Sequence, residues 1–249
     1  MLATKSNLRV LASSHSSIEF QKWAMRYGNA GNLYADQRTP ALPYYAIDNG
    51  KFIAWKDNRR WNSDRFLMTC DYYCDREIKP QWIVVPDEVA DRAWTITNWY
   101  LWETKLRDRY PGIPLAFAVQ NDMGIECVPK TADVIFVGGT FDWKWKTMPM
   151  WCKNFPRVHI ARVNSWQRLW YCQELGAESC DGTGWFKGVE ERHDLHLFLA
   201  IQAGMIHGLD GLDLGGLSYQ SRLQILARFT ECRKPWTYYE EPLFRSLRR

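Results

Sequence analysis

A single-domain (β/α)8 barrel of the TIM type is the fold class that this sequence predicts, on three observations. First, short apolar runs are each followed by a polar or glycine tip. Examples are Ile83-Val84-Val85 before Pro86-Asp87-Glu88, Leu115 to Val119 before Gln120-Asn121, and Val134 to Val137 before Gly138-Gly139-Thr140. Second, segments of helical apolar rhythm separate these runs, which is the pattern of βαβ units and their right-handed crossovers. Third, 249 residues with 46% hydrophobic content and no low-complexity tract suit one closed barrel with a real core. Buried strands with polar tips place a site at the C-terminal mouth of such a barrel. An open Rossmann-like sheet is the alternative fold, but no Gly-x-Gly-x-x-Gly follows the first strand.

Leu8 to Ser14 reads as the first strand and Ser17 to Arg26 as its helix, through Ile18, Phe20, Trp23 and Ala24. Tyr44 to Ile47 is the second strand, running into Asp48-Asn49-Gly50, and Arg59 to Cys74 is the next helix. Gln81 to Val85 is the third strand. It is followed by a long helix from Asp87 to Arg109, which Pro111-Gly112 ends. Leu115 to Val119 and Val134 to Val137 are the fourth and fifth strands, and Thr147 to Asn154 a short helix. Val158 to Val163 is the sixth strand, with its helix from Ser165 to Leu175 closed by Gly176. Glu178 to Asp181 is a short seventh strand, Leu195 to Ile206 an apolar helix, and Leu209 to Leu214 a poor eighth strand. Residues 1–249 form one domain in this reading, with a helical or irregular tail from about residue 218.

Composition narrows the function classes. No stretch approaches the ~20 apolar residues of a membrane span. Met1 to Lys5 opens no long apolar leader, so a cytoplasmic protein is expected. Seven cysteines at irregular spacing do not form a disulfide framework and contain no Cys-x-x-Cys, so they read as reduced thiols. His193 and His196 stand three apart on a helix, and surface histidines are preferred to a metal pair. Metal and other cofactors are therefore not expected.

A net charge of +4 does not by itself indicate a nucleic-acid protein, but the fourteen tryptophans are unusual. Several alternate with cations, as in Trp55-Lys56-Asp57-Asn58-Arg59-Arg60-Trp61 and Asp142-Trp143-Lys144-Trp145-Lys146. Cations meeting phosphates and rings stacking on bases suit a nucleic-acid surface. The alternative is tryptophans packed between barrel and helices with solvated lysines.

Taken in order, these tips resemble the motifs of the tRNA-guanine transglycosylases, barrel enzymes that exchange guanine for a 7-deazaguanine. Asp48-Asn49-Gly50-Lys51-Phe52 resembles the family's Asp-Ser-Gly-Gly-aromatic motif, and Asp87-Glu88-Val89 its Asp-Glu-Cys. Val119-Gln120-Asn121 is similar to its Val-Gln-Gly, Gly138-Gly139-Thr140 to its Gly-Gly-Leu, and Ser179-Cys180-Asp181 to its Phe-Asp-Cys. The resemblance covers residues 44 to 185, about half the chain. The family's Cys-x-Cys-x-x-Cys zinc motif is missing after Asp181, where only Cys232 remains. The short, zinc-free chain looks most like the compact phage-type branch, which modifies DNA rather than tRNA.

The resemblance implies roles. Asp181 becomes the nucleophile that traps the sugar carbon, since a carboxylate there splits one hard substitution into two easier ones. Asp48 becomes the acid and base for the ring nitrogen. Asp87 accepts from the base, while Gln120 and the backbone around Gly138 and Gly139 donate to it. Phe52 stacks on the base or belongs to the core. Asp48 and Asp181 compete with plain turn roles, and Asp87 with a helix N-cap. Arg59, Arg60, Lys144 and Lys146 are expected to hold the nucleic-acid backbone. Arg162 and Asn164 face the mouth, for sugar, phosphate or structural hydrogen bonds. The expected partners are DNA, with tRNA as the alternative polymer, and a free 7-deazaguanine of the preQ0 type. A glycoside hydrolase with paired carboxylates and a non-catalytic nucleic-acid-binding barrel are the rivals.

Overall fold

The computed structural model describes residues 7–13 and 17–203, and within them eight parallel strands close into a barrel in chain order. The strands are β1 (Arg9–Ser13), β2 (Ala30–Tyr34), β3 (Tyr45–Ile47), β4 (Ile83–Val84), β5 (Leu115–Val119), β6 (Val134–Val137), β7 (Val158–Ile160) and β8 (Ser179–Gly182). The helices are α1 (Ile18–Tyr27), α2 (Lys51–Lys56), α3 (Ser63–Cys74), α4 (Arg92–Arg109), α5 (Phe141–Asn154), α6 (Trp166–Leu175) and α7 (Val189–Gln202). Short 3-10 turns at Ile125–Cys127 and Gly184–Phe186 complete the described elements.

The predicted fold class stands, with one change of count. Ala30–Tyr34 is a strand that the sequence reading passed over, so Ser179–Gly182 is the eighth strand rather than the seventh. It pairs with β1, Leu11 lying beside Asp181, and the barrel closes there. Leu209 to Leu214, predicted as a final strand, lies outside the described residues, as does the predicted tail. β2 evades hydrophobic pattern because Ala30-Gly31-Asn32 looks like a turn. Gly31 is required there: a Cβ would sit 2.2 Å from the Tyr44 carbonyl oxygen.

Alternation along the strands divides the core in two. Leu11, Leu33, Ala46, Trp82, Val84, Ala116, Ala118 and Val134 fill the barrel interior. Their neighbours, among them Val10, Ile47, Ile83, Phe117, Val119, Ile135 and Val137, pack outward with the helices. Helix starts follow capping chemistry. Ser17 accepts from Phe20 N, Asn62 from Arg65 N and Asp91 from Trp94 N. The long helix therefore begins at Arg92, not Asp87, which frees Asp87 from any capping role. No helix among the described residues is long and apolar enough to cross a membrane.

Candidate active site

Every barrel strand runs the same way, so the polar tips converge at one end. Asp48 follows β3, Asp87 follows β4, Gln120 follows β5, Gly138 and Gly139 follow β6, Arg162 follows β7, and Asp181 lies in β8. All of them line one pocket of about 230 Å³ whose apolar floor includes Leu33, Val84 and Phe136. The five motifs, spread over more than a hundred residues of sequence, thus meet in one cavity.

Asp181 is buried and firmly held. Its Oδ1 accepts from His159 Nε2 at 3.1 Å and from Arg162 N at 3.0 Å, and its Oδ2 accepts from Ser13 Oγ at 2.7 Å. Burial alone would raise its pKa, but these donors and the His159 charge outweigh it, and the net shift is downward. The carboxylate is therefore ionised, and Oδ2, with a single donor, keeps the freer lone pair. An ionised carboxylate only accepts, so His159 Nε2 carries a proton, while Nδ1 lies 2.8 Å from Ser179 Oγ. The imidazole is fully buried, stacked on Phe136 at 4.9 Å. Arg162 reaches its position through a left-handed backbone, φ 58°. That conformation costs a non-glycine residue roughly 1–2 kcal/mol, and here it turns the Arg162 N–H onto the carboxylate.

Asp87 is buried beside a fixed amide network. Asn49 Nδ2 donates to its Oδ1 at 2.7 Å, and Gln120 Nε2 donates to its Oδ2. Gln120 Oε1 accepts from Gly139 N at 2.9 Å and from Ala90 N at 3.0 Å, which fixes which end of the amide is oxygen. Burial raises the Asp87 pKa against these hydrogen bonds. Each carboxylate oxygen thus has one side-chain donor and capacity to accept another, and Asp87 lines the pocket. Gly139 has φ 70°, and a Cβ there would meet the Trp143 ring at 2.5 Å.

Asp48 contrasts with Asp181. It opens partly onto the pocket but is otherwise enclosed by protein. Burial first, then the charges of Asp181 and Asp87, push its pKa up to about 7. Backbone hydrogen bonds from Gly50 N, at 3.4 Å, and from Asn49 oppose that shift without cancelling it. Two nearby carboxylates with opposite proton affinities form an acid/base division of labour.

Compared with known proteins, the chain matches no family model and no curated sequence. The chemistry of the pocket rests on its own geometry.

The remaining expected residues divide. Phe52 lines the pocket, but the Arg162 guanidinium covers one face of its ring at 4.4 Å and donates to Gly139 O. A base stacking on that face must displace the arginine. Lys144 is the clear correction: it is buried, and its ammonium donates to Ala161 O, so it meets no phosphate at the surface. The helix starts at Phe141, six residues before the predicted Thr147, and puts Lys144 on one buried stripe with Met148 and Trp151. Lys146 points outward and is exposed, as are Arg59 and Arg60 on the α2–α3 loop, with Arg59 paired to Asp57 at 2.6 Å. Asn164 lines the pocket and accepts from Gly184 N at 2.7 Å.

His159 and Ser13, which hold Asp181, and Asn49, which holds Asp87, are neighbours that sequence reasoning missed. His159 had a signal: a lone polar residue between Val158 and Ile160 in a buried strand must face inward. The other histidine of interest, His196, stacks on Trp23 at 4.4 Å and bonds to Tyr27 Oη at 2.9 Å. Among the described residues no group of three or more His, Cys, Asp or Glu is placed to hold a metal ion.

Proposed function

We propose that this protein is a guanine transglycosylase that replaces guanine in DNA with a 7-deazaguanine, through a covalent aspartyl-sugar intermediate. The observation that carries the reading is the convergence of Asp48, Asp87 and Asp181 on one pocket, with the Asp48 pKa pushed up and the Asp181 pKa held down. Asp181 Oδ2 forms a bond to C1′ as the C1′–N9 bond breaks. The electron pair passes to the purine, and Asp48 gives its proton to the ring nitrogen, so guanine leaves neutral. In the second half Asp48, now a carboxylate, takes the N9 proton of the incoming base. That base attacks C1′ and Asp181 departs as a carboxylate.

Asp87 suits the base itself. Its two oxygens, each able to accept a further hydrogen bond, match the N1–H and exocyclic amino group of guanine, an edge that a sugar-only substrate lacks. This favours a nucleobase over the carbohydrate of a glycoside hydrolase. The motif order resembles that of the transglycosylases and favours base exchange, while the missing zinc motif favours DNA over tRNA.

Exchange of radiolabelled guanine into DNA and tRNA, run with wild type and Asp181→Asn, tests the reading. Label entering DNA but not tRNA, and only with wild type, is the expected result. Rate should fall by about 10⁴-fold or more in the variant, as for loss of a nucleophile acting within a unit. Label entering tRNA alone would reassign the polymer. Label entering neither, with DNA binding intact, would replace the enzyme by a binding barrel.

A further inference from the structure

Beside the pocket lies a second cavity of about 380 Å³, open to solvent between α2 and the start of α3. The two cavities share Asn49 and Ile53 in their walls. Four arginines, Arg38, Arg59, Arg60 and Arg65, line the groove against one aspartate, Asp36. Arg38 is held by Asp36 at 2.9 Å, and Arg59 by Asp57 at 2.6 Å. Among the described residues, no acid lies within ion-pair distance of Arg60 or Arg65. Both are exposed.

A second, independent feature has the same sign. The twelve-residue helix α3 begins in this groove at its N-cap Asn62, and the positive end of its dipole, partly offset by Asp64 in the first turn, adds to the arginine field. The wall is also fixed to the pocket. Trp61 Nε1 donates to Asn49 O at 2.8 Å, and the Asn49 side chain holds Asp87 at 2.7 Å. One residue therefore joins the groove to the base-facing carboxylate.

We infer that this groove binds the phosphates of the polynucleotide strand next to the nucleotide in the pocket. The inference rests on the proposed action on a nucleic acid, and it fixes the side by which the strand leaves the mouth: over α2, towards the loop after β2. Arginine fits the task because its fork donates two parallel hydrogen bonds to a phosphate. The site reads phosphate and not base, so it supplies affinity and register but no sequence preference.

The test is fluorescence anisotropy of a short labelled single-stranded oligonucleotide over a salt series. It compares wild type, Arg60→Ala/Arg65→Ala, and a control, Arg26→Ala, in the last turn of α1 at the opposite end of the barrel. Free guanine binding is measured on the same proteins. Loss of two phosphate contacts should make the salt slope shallower by about 1.4 and weaken low-salt binding about 10- to 100-fold. Guanine affinity and the control should be unchanged. Wild-type binding that the double variant retains in full would overturn the groove while leaving the proposed function intact. Inorganic phosphate competing as well as oligonucleotide phosphate would also overturn it, marking a small-anion site. No oligonucleotide binding by wild type at the lowest salt would overturn both readings.

Discussion

The two ends of the barrel each hold charge at least half-buried, and they treat it in opposite ways. At the N-terminal end, Glu178 accepts from Arg157 Nε at 2.7 Å and Nη2 at 2.9 Å, and from Tyr44 Oη at 3.2 Å. Arg9 lies over the Tyr44 ring at 4.1 Å. Burial opposes ionisation of Glu178, but the Arg157 bonds and charge outweigh it, and its pKa falls. At the C-terminal end three carboxylates share one pocket, and the nearest guanidinium, Arg162, is turned to a carbonyl oxygen and an aromatic ring. There Asp48 takes the strain as a raised pKa. Charge at one end is paired with an arginine, while three carboxylates crowd the other, which is the arrangement that the proposed chemistry would use.

The largest test of that contrast is Asp48→Asn. General acid/base assistance contributes about 10²–10⁴-fold, and exchange should fall by about 10³-fold. Stability should move the other way. The folded pKa of about 7 lies above the unfolded value of 3.8, so the folded state keeps a proton that the unfolded state has released. Asp48 therefore contributes stability at acid pH, fully below about 4, and that contribution disappears as pH rises through 7. Urea denaturation across pH 4 to 7 should show wild type weakening relative to the variant, whose remaining slope comes from Asp87, of the same sign, and from His193, of the opposite sign. Equal slopes in the two proteins would mean that Asp48 is not protonated in the folded state, and the acid role would go with it.

Legibility in the sequence followed the same division. Asp48, Asp87, Gln120, Gly138, Gly139 and Asp181 were readable because each polar tip breaks an apolar run, and a parallel barrel sends such tips to one mouth. What supports them was not readable. Ser13 and Asn49 act through hydrogen bonds set by register, Leu11 against Asp181 in particular. A register closing β8 onto β1 is invisible until all the strands are counted. The strand that was missed, Ala30–Tyr34, carries a glycine for packing, where strand propensity expects a branched residue. Helix α2, six residues with none buried, has no apolar stripe to betray it. Lys144 misled for a related reason. Aromatic and cationic residues in alternation suggest an exposed ribbon, but a helix started six residues earlier rotates the lysine inward.

Arg157→Met sharpens the contrast from the structural end. The change leaves Glu178, only partly exposed, with Tyr44 as its remaining hydrogen-bond donor. The cost is about 2–3 kcal/mol, since half of a hydrogen-bonded ion pair is worse than none. Glu178 should titrate higher in the variant. Its stabilising effect, present above the unfolded carboxylate pKa, should then be lost at a higher pH on acidification. Exchange by the folded fraction should stay within twofold of wild type, because no atom of this cluster lines the pocket. A rate loss comparable with that of Asp48→Asn would erase the distinction between the two ends.

The smallest expected effect belongs to Lys144→Met, and it tests a charge that belongs to neither end. Burial, and then repulsion from Arg162, hold the ammonium pKa down to about 7, against 10.5 when unfolded. The folded state thus releases a proton that the unfolded state still binds between those values. The sign is opposite to that for Asp48: stability should rise with pH across about 7 to 10.5, and the lysine should weigh most heavily below 7. Methionine removes the desolvated charge but orphans the Ala161 carbonyl, and the two nearly cancel. Net stability near pH 7 should therefore change by less than about 1 kcal/mol, with the alkaline rise flattened. Ala161 immediately precedes Arg162, whose N–H meets Asp181 at 3.0 Å, so the lost bond also reaches the site. A modest fall in exchange rate alongside unchanged stability would identify Lys144 as a support for the nucleophile's turn. An unchanged rate would leave it as a buried charge tolerated between barrel and helix.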